Sequence, residues 1–254
     1  HLQKKPPLKV PSSFKVCGKS LPRKDALEKV TGKAQYAGDM RLAGILYGSV
    51  LRPPAHGSKL KSLDTAAVQS IPGAQVVEDG DLVAVLHSAP DLARSALSLV
   101  KAEWELPEAR LDDQNIFTHL AAQANQGDVI AEKGDLGKGR GLASVKFDET
   151  YRTPYVAHAT IETHSALVSV EGKSATVWAS TQRPFATQEE VARVAGLAVE
   201  QVRVITPYLG AGFGGKSNIR QVLEAARLSR LSGRPVQVVW TREEEFFNDT
   251  FQPA

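Results

Sequence analysis

The feature that most limits what this chain can fold into is a run of glycines between two regular elements. Gly210-Ala211-Gly212-Phe213-Gly214-Gly215-Lys216-Ser217 follows a short apolar strand pattern at 202–205 and precedes a helical pattern at 218–231. Without Cβ atoms, such a loop lets backbone amides approach a ligand closely, and a strand-to-helix turn directs those amides outward. From the loop alone, a tight turn with no ligand stands level with a binding loop. As letters it matches the P-loop pattern Gly-x4-Gly-Lys-Ser and also the Gly-x-Gly-x-x-Gly spacing of dinucleotide folds.

Context argues against both matches. A P-loop needs a strand running into its first glycine and a later strand ending in a magnesium-binding Asp. Here Thr206-Pro207-Tyr208-Leu209 interrupts the approach, and the strand pattern at 236–240 runs into Thr241 and Arg242. A dinucleotide fold would open on this loop and place an acid about 20 residues later. Glu243 and Glu244 come late for that, and much chain precedes the loop.

That preceding chain predicts an α+β protein. Residues 1–17, with Pro6, Pro7 and Pro11, read as an extended arm. Residues 18–106 alternate turns with short apolar runs, the runs lying at 44–51, 66–71, 75–77 and 81–87, and Pro90-Asp91 opens a helix bearing Leu92, Ala93, Ala96, Leu97 and Val100. Residues 107–142, with the glycine- and charge-rich stretch 133–141, read as a linker. In 143–254 a strand is predicted at 145–151, and 166–170 should pair with 175–179 across Glu171-Gly172-Lys173. Thr187 with Glu190 has capping-box spacing and predicts a helix start, with Gly196 weakening that helix near its end. Arg242-Glu243-Glu244-Glu245 reads as a solvated or salt-bridged strand end.

Composition excludes several classes. With 31 basic and 28 acidic residues the net charge is +3 and mostly scattered, which gives no footprint for nucleic acid. The longest apolar stretches, such as 82–86, fall far below the roughly 20 residues of a membrane span. The chain begins at His1 without a signal-peptide core, so a cytoplasmic location is expected, with an exported and processed form also compatible. Cys17 stands alone, so no intrachain disulfide, thiolate zinc cluster or iron–sulfur cluster can be held by this chain by itself.

Four stretches carry a family resemblance. They are Arg23-Lys24-Asp25-Ala26-Leu27-Glu28-Lys29-Val30-Thr31-Gly32-Lys33-Ala34-Gln35-Tyr36-Ala37-Gly38-Asp39, then Leu46-Tyr47-Gly48-Ser49-Val50-Leu51-Arg52, then Tyr151-Arg152-Thr153-Pro154-Tyr155-Val156-Ala157-His158 with Glu162 and His164, and Ser180-Thr181-Gln182-Arg183-Pro184 ahead of the glycine loop. With these, nearly the whole chain resembles the molybdopterin-binding large subunit of the xanthine dehydrogenase and aldehyde oxidase family. The resemblance implies an a/b hammerhead domain over 18–106 and the first part of a molybdopterin-binding α+β domain over 143–254.

It also implies a molybdenum–molybdopterin cofactor, expected in its cytosine dinucleotide form. Gln182 would lie beside an oxygen ligand of the metal, with Gly212, Phe213 and Gly214 on the loop facing cofactor and substrate. The glycine amides and the Gln182 carboxamide suit a phosphate-bearing pterin and a metal–oxo centre, because they donate hydrogen bonds without adding charge. Phe213 reads either as a wall against a planar substrate or as an anchor packing the loop onto the core. His158, Glu162 and His164 lack a recognised metal-ligand spacing and should instead hydrogen-bond around buried backbone; no protein metal ligand is expected.

The activity implied is oxidation of an aldehyde, or hydroxylation of an N-heteroaromatic ring, with water-derived oxygen. Electrons would leave through an iron–sulfur partner bearing two [2Fe-2S] clusters, with an FAD subunit as a further partner. The family's general-base glutamate has no counterpart here, so a C-terminal molybdopterin-binding portion or subunit is expected to complete the site. Purine-oxidising relatives carry a substrate-contacting glutamate where this chain has Ser217, which argues against a purine. The alternatives are a P-loop phosphate-binding protein and a noncatalytic interaction module of the same fold.

Overall fold

The computed structural model describes residues 7–108, 110–124 and 127–251. The chain divides into two units, residues 1–35 and 36–254. In the first, the expected arm begins outside the described residues, a 3-10 turn forms at Pro11–Ser13, and helix α1 spans Ala26–Val30.

The second unit runs β1 (Leu46–Val50), β2 (Lys59–Asp64), β3 (Gln75–Asp79), β4 (Leu82–His87), α2 (Pro90–Leu97), β5 (Lys101–Glu105), α3 (Ile116–Gln123), α4 (Leu136–Leu142), β6 (Ser165–Glu171), β7 (Ser174–Ala179), α5 (Pro184–Ala195), β8 (Val202–Ile205), α6 (Arg220–Ser232), β9 (Val236–Val239) and α7 (Arg242–Asn248). Seven strands form one mixed sheet in the order β3-β4-β1-β9-β6-β7-β8, and β2 pairs with β5 separately. The parallel pairs are β1/β9 and β7/β8. The fold is α+β.

The elements follow from local chemistry. Ala166 pairs with Ala179 and Val170 with Ala175, so the β6–β7 hairpin has the register expected across Gly172. β4 and most of β6 are buried along their length, as apolar runs covered on both faces should be, whereas β7 alternates buried and part-buried positions. On one sheet face, Leu46, Val50, Val168, Val177 and Val238 join Val191 of α5 and Val222, Ala225, Ala226 and Leu228 of α6 in the main core. A smaller core of Val68, Val85 and Ala96 is separate from it. Gly196 and Gly233 end α5 and α6 in the left-handed conformation, at φ 71° and 65°, where glycine escapes the Cβ penalty.

Several expectations need correction. Residues 145–151 form no strand, and Val145, Phe147 and Tyr151 are exposed, because alternation without a partner strand has no ladder to join. The helix expected from Thr187 starts at Pro184, whose fixed φ suits the first helical turn, and Thr187 instead lies buried within it. The stretch 242–245 is not a strand end but the start of α7, capped by Thr241 with Glu244. α3 and α4 fall within 107–142, yet neither buries a residue. β2 and β5 are strands that the sequence reading did not name: β2 is almost wholly exposed and polar, while β5 does alternate, Ala102 and Trp104 being its half-buried positions. Strands from 18–106 and 143–254 join one sheet, with β1 beside β9.

Candidate functional site

β7 delivers one side of the site. Beyond Ala179 the chain stays bonded to β6, since Ser180 N donates to Ser165 O at 3.0 Å and Ser165 N donates to Ser180 Oγ at 3.0 Å. Thr181 Oγ1 then accepts from Arg183 N at 3.0 Å and meets Thr187 Oγ1 at 3.1 Å, which turns the chain into α5. This leaves Gln182 exposed on the turn, held by its own N–H donating to Lys216 O at 2.9 Å.

The glycine loop forms the other side, and Gln182 Oε1 accepts from Gly214 N at 3.0 Å. A Cβ on Gly212 would lie 2.5 Å from Gln182 Oε1, so only glycine lets the two segments approach this closely. Ala211 and Phe213 adopt φ of 73° and 51°; each such non-glycine residue costs about 1–3 kcal/mol unless its surroundings hold it. The Phe213 ring is 74% exposed, so it does not anchor the loop to the core.

Charge lies buried beneath the loop. Lys216 is fully buried, and its Nζ donates to Glu162 Oε2 at 2.5 Å; the same oxygen accepts from Gly210 N at 2.7 Å. Burial pushes the Lys216 ammonium below the ordinary lysine range against the opposing pull of Glu162. His164, also fully buried, points Nδ1 at Glu245 Oε2 (2.9 Å) and Nε2 at Gly215 O (3.2 Å). Burial alone would raise the Glu245 carboxyl, but hydrogen bonds from the His164 ring and backbone outweigh it and hold the group below its usual range. His158 Nδ1 meets Asp249 Oδ2 at 2.9 Å beside Gly215.

The structure therefore brings together all four residues named from the sequence: Gln182, Gly212, Phe213 and Gly214. Sequence reasoning missed the acid–base pairs below them, whose partners stand 54, 81 and 91 residues apart. Glu162 does bind backbone, as expected, but it also binds the loop lysine. Among the described residues, no group of three or more His, Cys, Asp or Glu is placed to hold a metal.

The loop fits a ligand rich in anionic oxygen. The amides of Ala211, Gly212 and Phe213, and the Gln182 NH2, meet no acceptor among the described residues. Successive free amides beside a carboxamide form a neutral donor array suited to a phosphate or metal–oxo group.

The family described as "Molybdopterin cofactor-binding domain" matches residues 113–254. A nicotinate dehydrogenase subunit of Pseudomonas putida is 31% identical over 96% of this chain and 22% of its own length. The aldehyde oxidoreductase molybdenum-binding subunit PaoC of Escherichia coli K12 is 31% identical over 95% of this chain and 37% of its own. Among solved structures, quinoline 2-oxidoreductase from Pseudomonas putida 86 superposes with a TM-score of 0.76 at 23% identity, covering 92% of this chain and 36% of that one. That likeness speaks to the fold alone. The chain thus spans 22% to 37% of the length of these two curated relatives. Because residues 113–254, more than half of it, match that family, the chain belongs to the molybdopterin cofactor-binding family, in the xanthine dehydrogenase and aldehyde oxidase type of molybdenum-binding subunit.

Proposed function

We propose that the chain is the cofactor-contacting part of a molybdenum hydroxylase that oxidises an aldehyde or hydroxylates an N-heteroaromatic ring with water-derived oxygen. The observation that carries this reading is the approach of Gln182 to the strained segment Gly212-Phe213-Gly214, with unused donors on both. When bound, a molybdenum–pterin group would supply the two-electron redox chemistry. The chain's own part is to bind and orient. The amides of 211–213 would hold anionic oxygen, the Gln182 NH2 would donate toward an oxygen of the bound group, and the exposed Phe213 ring would offer a flat face to a planar substrate.

A cytosine dinucleotide form of the cofactor belongs to the same proposal, as do an iron–sulfur partner with two [2Fe-2S] clusters, an FAD subunit and a C-terminal portion or subunit that supplies the general base. The named activities of the relatives, on nicotinate and aldehydes, support the substrate class. We take the division into 18–106 and 143–254 as one of ancestry rather than of packing, since both parts share a sheet. A cytoplasmic site accords with the exposed free thiol of Cys17, and no helix among the described residues is long and apolar enough to cross a membrane.

Lys216 argues against nucleotide binding, because a phosphate-gripping lysine must reach solvent and this one is buried against Glu162. The test is molybdenum and released-pterin content of the protein purified from its native host with everything that co-purifies. Stoichiometric metal and pterin are expected. An intact assembly with neither would overturn the reading and leave a noncatalytic module of the same fold.

A further inference from the structure

We infer that Glu162 and Lys216 are positioning residues: a single carboxylate oxygen of Glu162 staples both ends of the loop and so sets the aim of Gln182 and of the 211–213 amides. This rests on the proposed function, and it gives the buried lysine a role other than ligand binding. The staple is direct. Glu162 Oε2 accepts from Gly210 N at the loop's entrance (2.7 Å) and from Lys216 Nζ at its exit (2.5 Å), closing a seven-residue span.

Lys216 also carries the opposite wall. Its carbonyl accepts from Gln182 N at 2.9 Å, so a shift of Lys216 moves Gln182 and, through Gln182 Oε1, Gly214. Between the stapled ends lie the two non-glycine residues at positive φ, Ala211 and Phe213, a conformation that persists only when its surroundings over-determine it. Glu162 packs so closely on Gly210 that a Cβ there would overlap its side chain. Beneath the exit, His164 Nε2 faces Gly215 O at 3.2 Å and is backed by Glu245, so the staple sits on a second acid–base pair.

The test uses the full subunit in its native complex and compares wild type with Glu162→Gln and with Glu162→Gln/Lys216→Met. Gln keeps an acceptor for Gly210 N, and the double variant leaves no unpaired buried charge, so it should fold even where the single variant does not. Hydrogen–deuterium exchange is followed for the bonded amides of Gln182, Gly210, Gly214 and Gly215, with β6 and α6 as internal references.

In the double variant the loop and Gln182 amides are expected to exchange about tenfold faster while β6 and α6 stay unchanged. Pterin and molybdenum retention should fall about 10- to 100-fold, as when residues supporting a metal site are lost. Unchanged loop exchange in a folded double variant would overturn the inference. So would acceleration shared equally by β6 and α6, or failure of both variants to fold, since either assigns the pair to the fold as a whole. The exchange readout does not need the cofactor, so a wild type lacking pterin sinks the proposed function and leaves the staple to be judged by its amides.

Discussion

Gly212 has no room for even a methyl group: the built Cβ falls 2.5 Å from Gln182 Oε1 and 2.6 Å from its carbon. Gly212→Ala must therefore push Gln182 aside and break its bond to Gly214 N. Because the atoms met are the far end of an exposed, flexible side chain, we expect a cost below about 1 kcal/mol in denaturant unfolding, with the main effect a reduced pterin retention. Unchanged retention would show that the aim of Gln182 does not matter to the cofactor. Glu245 supplies the residue-scale pH dependence. Its carboxyl is held below the ordinary 4.5, so its stabilisation is present in full above that value and is lost as pH falls through the lower folded value. Acid unfolding followed by tryptophan fluorescence should show this loss in wild type, and it should be smaller in Glu245→Gln. Identical acid limbs would refute that assignment.

At the scale of the element, α7 does more than its seven residues suggest. Thr241 Oγ1 accepts from Glu244 N at 3.1 Å, and Glu244 Oε2 accepts from Thr241 N at 2.8 Å, a reciprocal cap that fixes where the helix begins. The cap sets the register that sends Glu244 to Arg52 and Glu245 to His164, while Asp249 at the far end reaches His158. Thr241→Ala is expected to cost about 1 kcal/mol, as lost caps do, measured by the guanidinium midpoint. Exchange at the Gly215 amide should rise with it, because Asp249 and His158 both crowd that residue.

Across the whole molecule, one ionic hub ties the first half of the sheet to the second. Arg52, just past β1, bonds Glu224 of α6 through Nη1 and Nη2 (2.5 and 2.9 Å) and Glu244 of α7 through Nε (2.7 Å). Trp240 Nε1 adds a bond to Glu224 at 3.2 Å, and the guanidinium lies 5.6 Å from the Trp240 ring centre. The pair is well shielded, with side-chain exposures of 13% and 5%, and removing Arg52 would leave the buried Glu224 carboxylate only the half-exposed Arg220 at 3.1 Å and Trp240 Nε1 as partners. Because those partners offset part of the penalty of an uncompensated buried charge, Arg52→Met should cost about 2–3 kcal/mol in equilibrium unfolding. A loss below about 1 kcal/mol would class the hub with surface ion pairs.

How much was legible before the structure divides along one physical line. The β6–β7 hairpin, β8 and the loop at 210–217 were determined by the sequence itself, because period, turn chemistry and missing Cβ atoms act over a few neighbours. The motif that named Gln182, Gly212, Phe213 and Gly214 was equally readable, though not the 3.0 Å contact that unites them. Only the tertiary structure decided that 145–151 finds no partner strand, that β1 joins β9, and that Lys216 turns inward to Glu162. These outcomes depend on which distant surfaces meet. A charge pair spanning 54 or 81 residues leaves no periodic trace in the chain, since burial and geometry select the partners only after the sheet has closed.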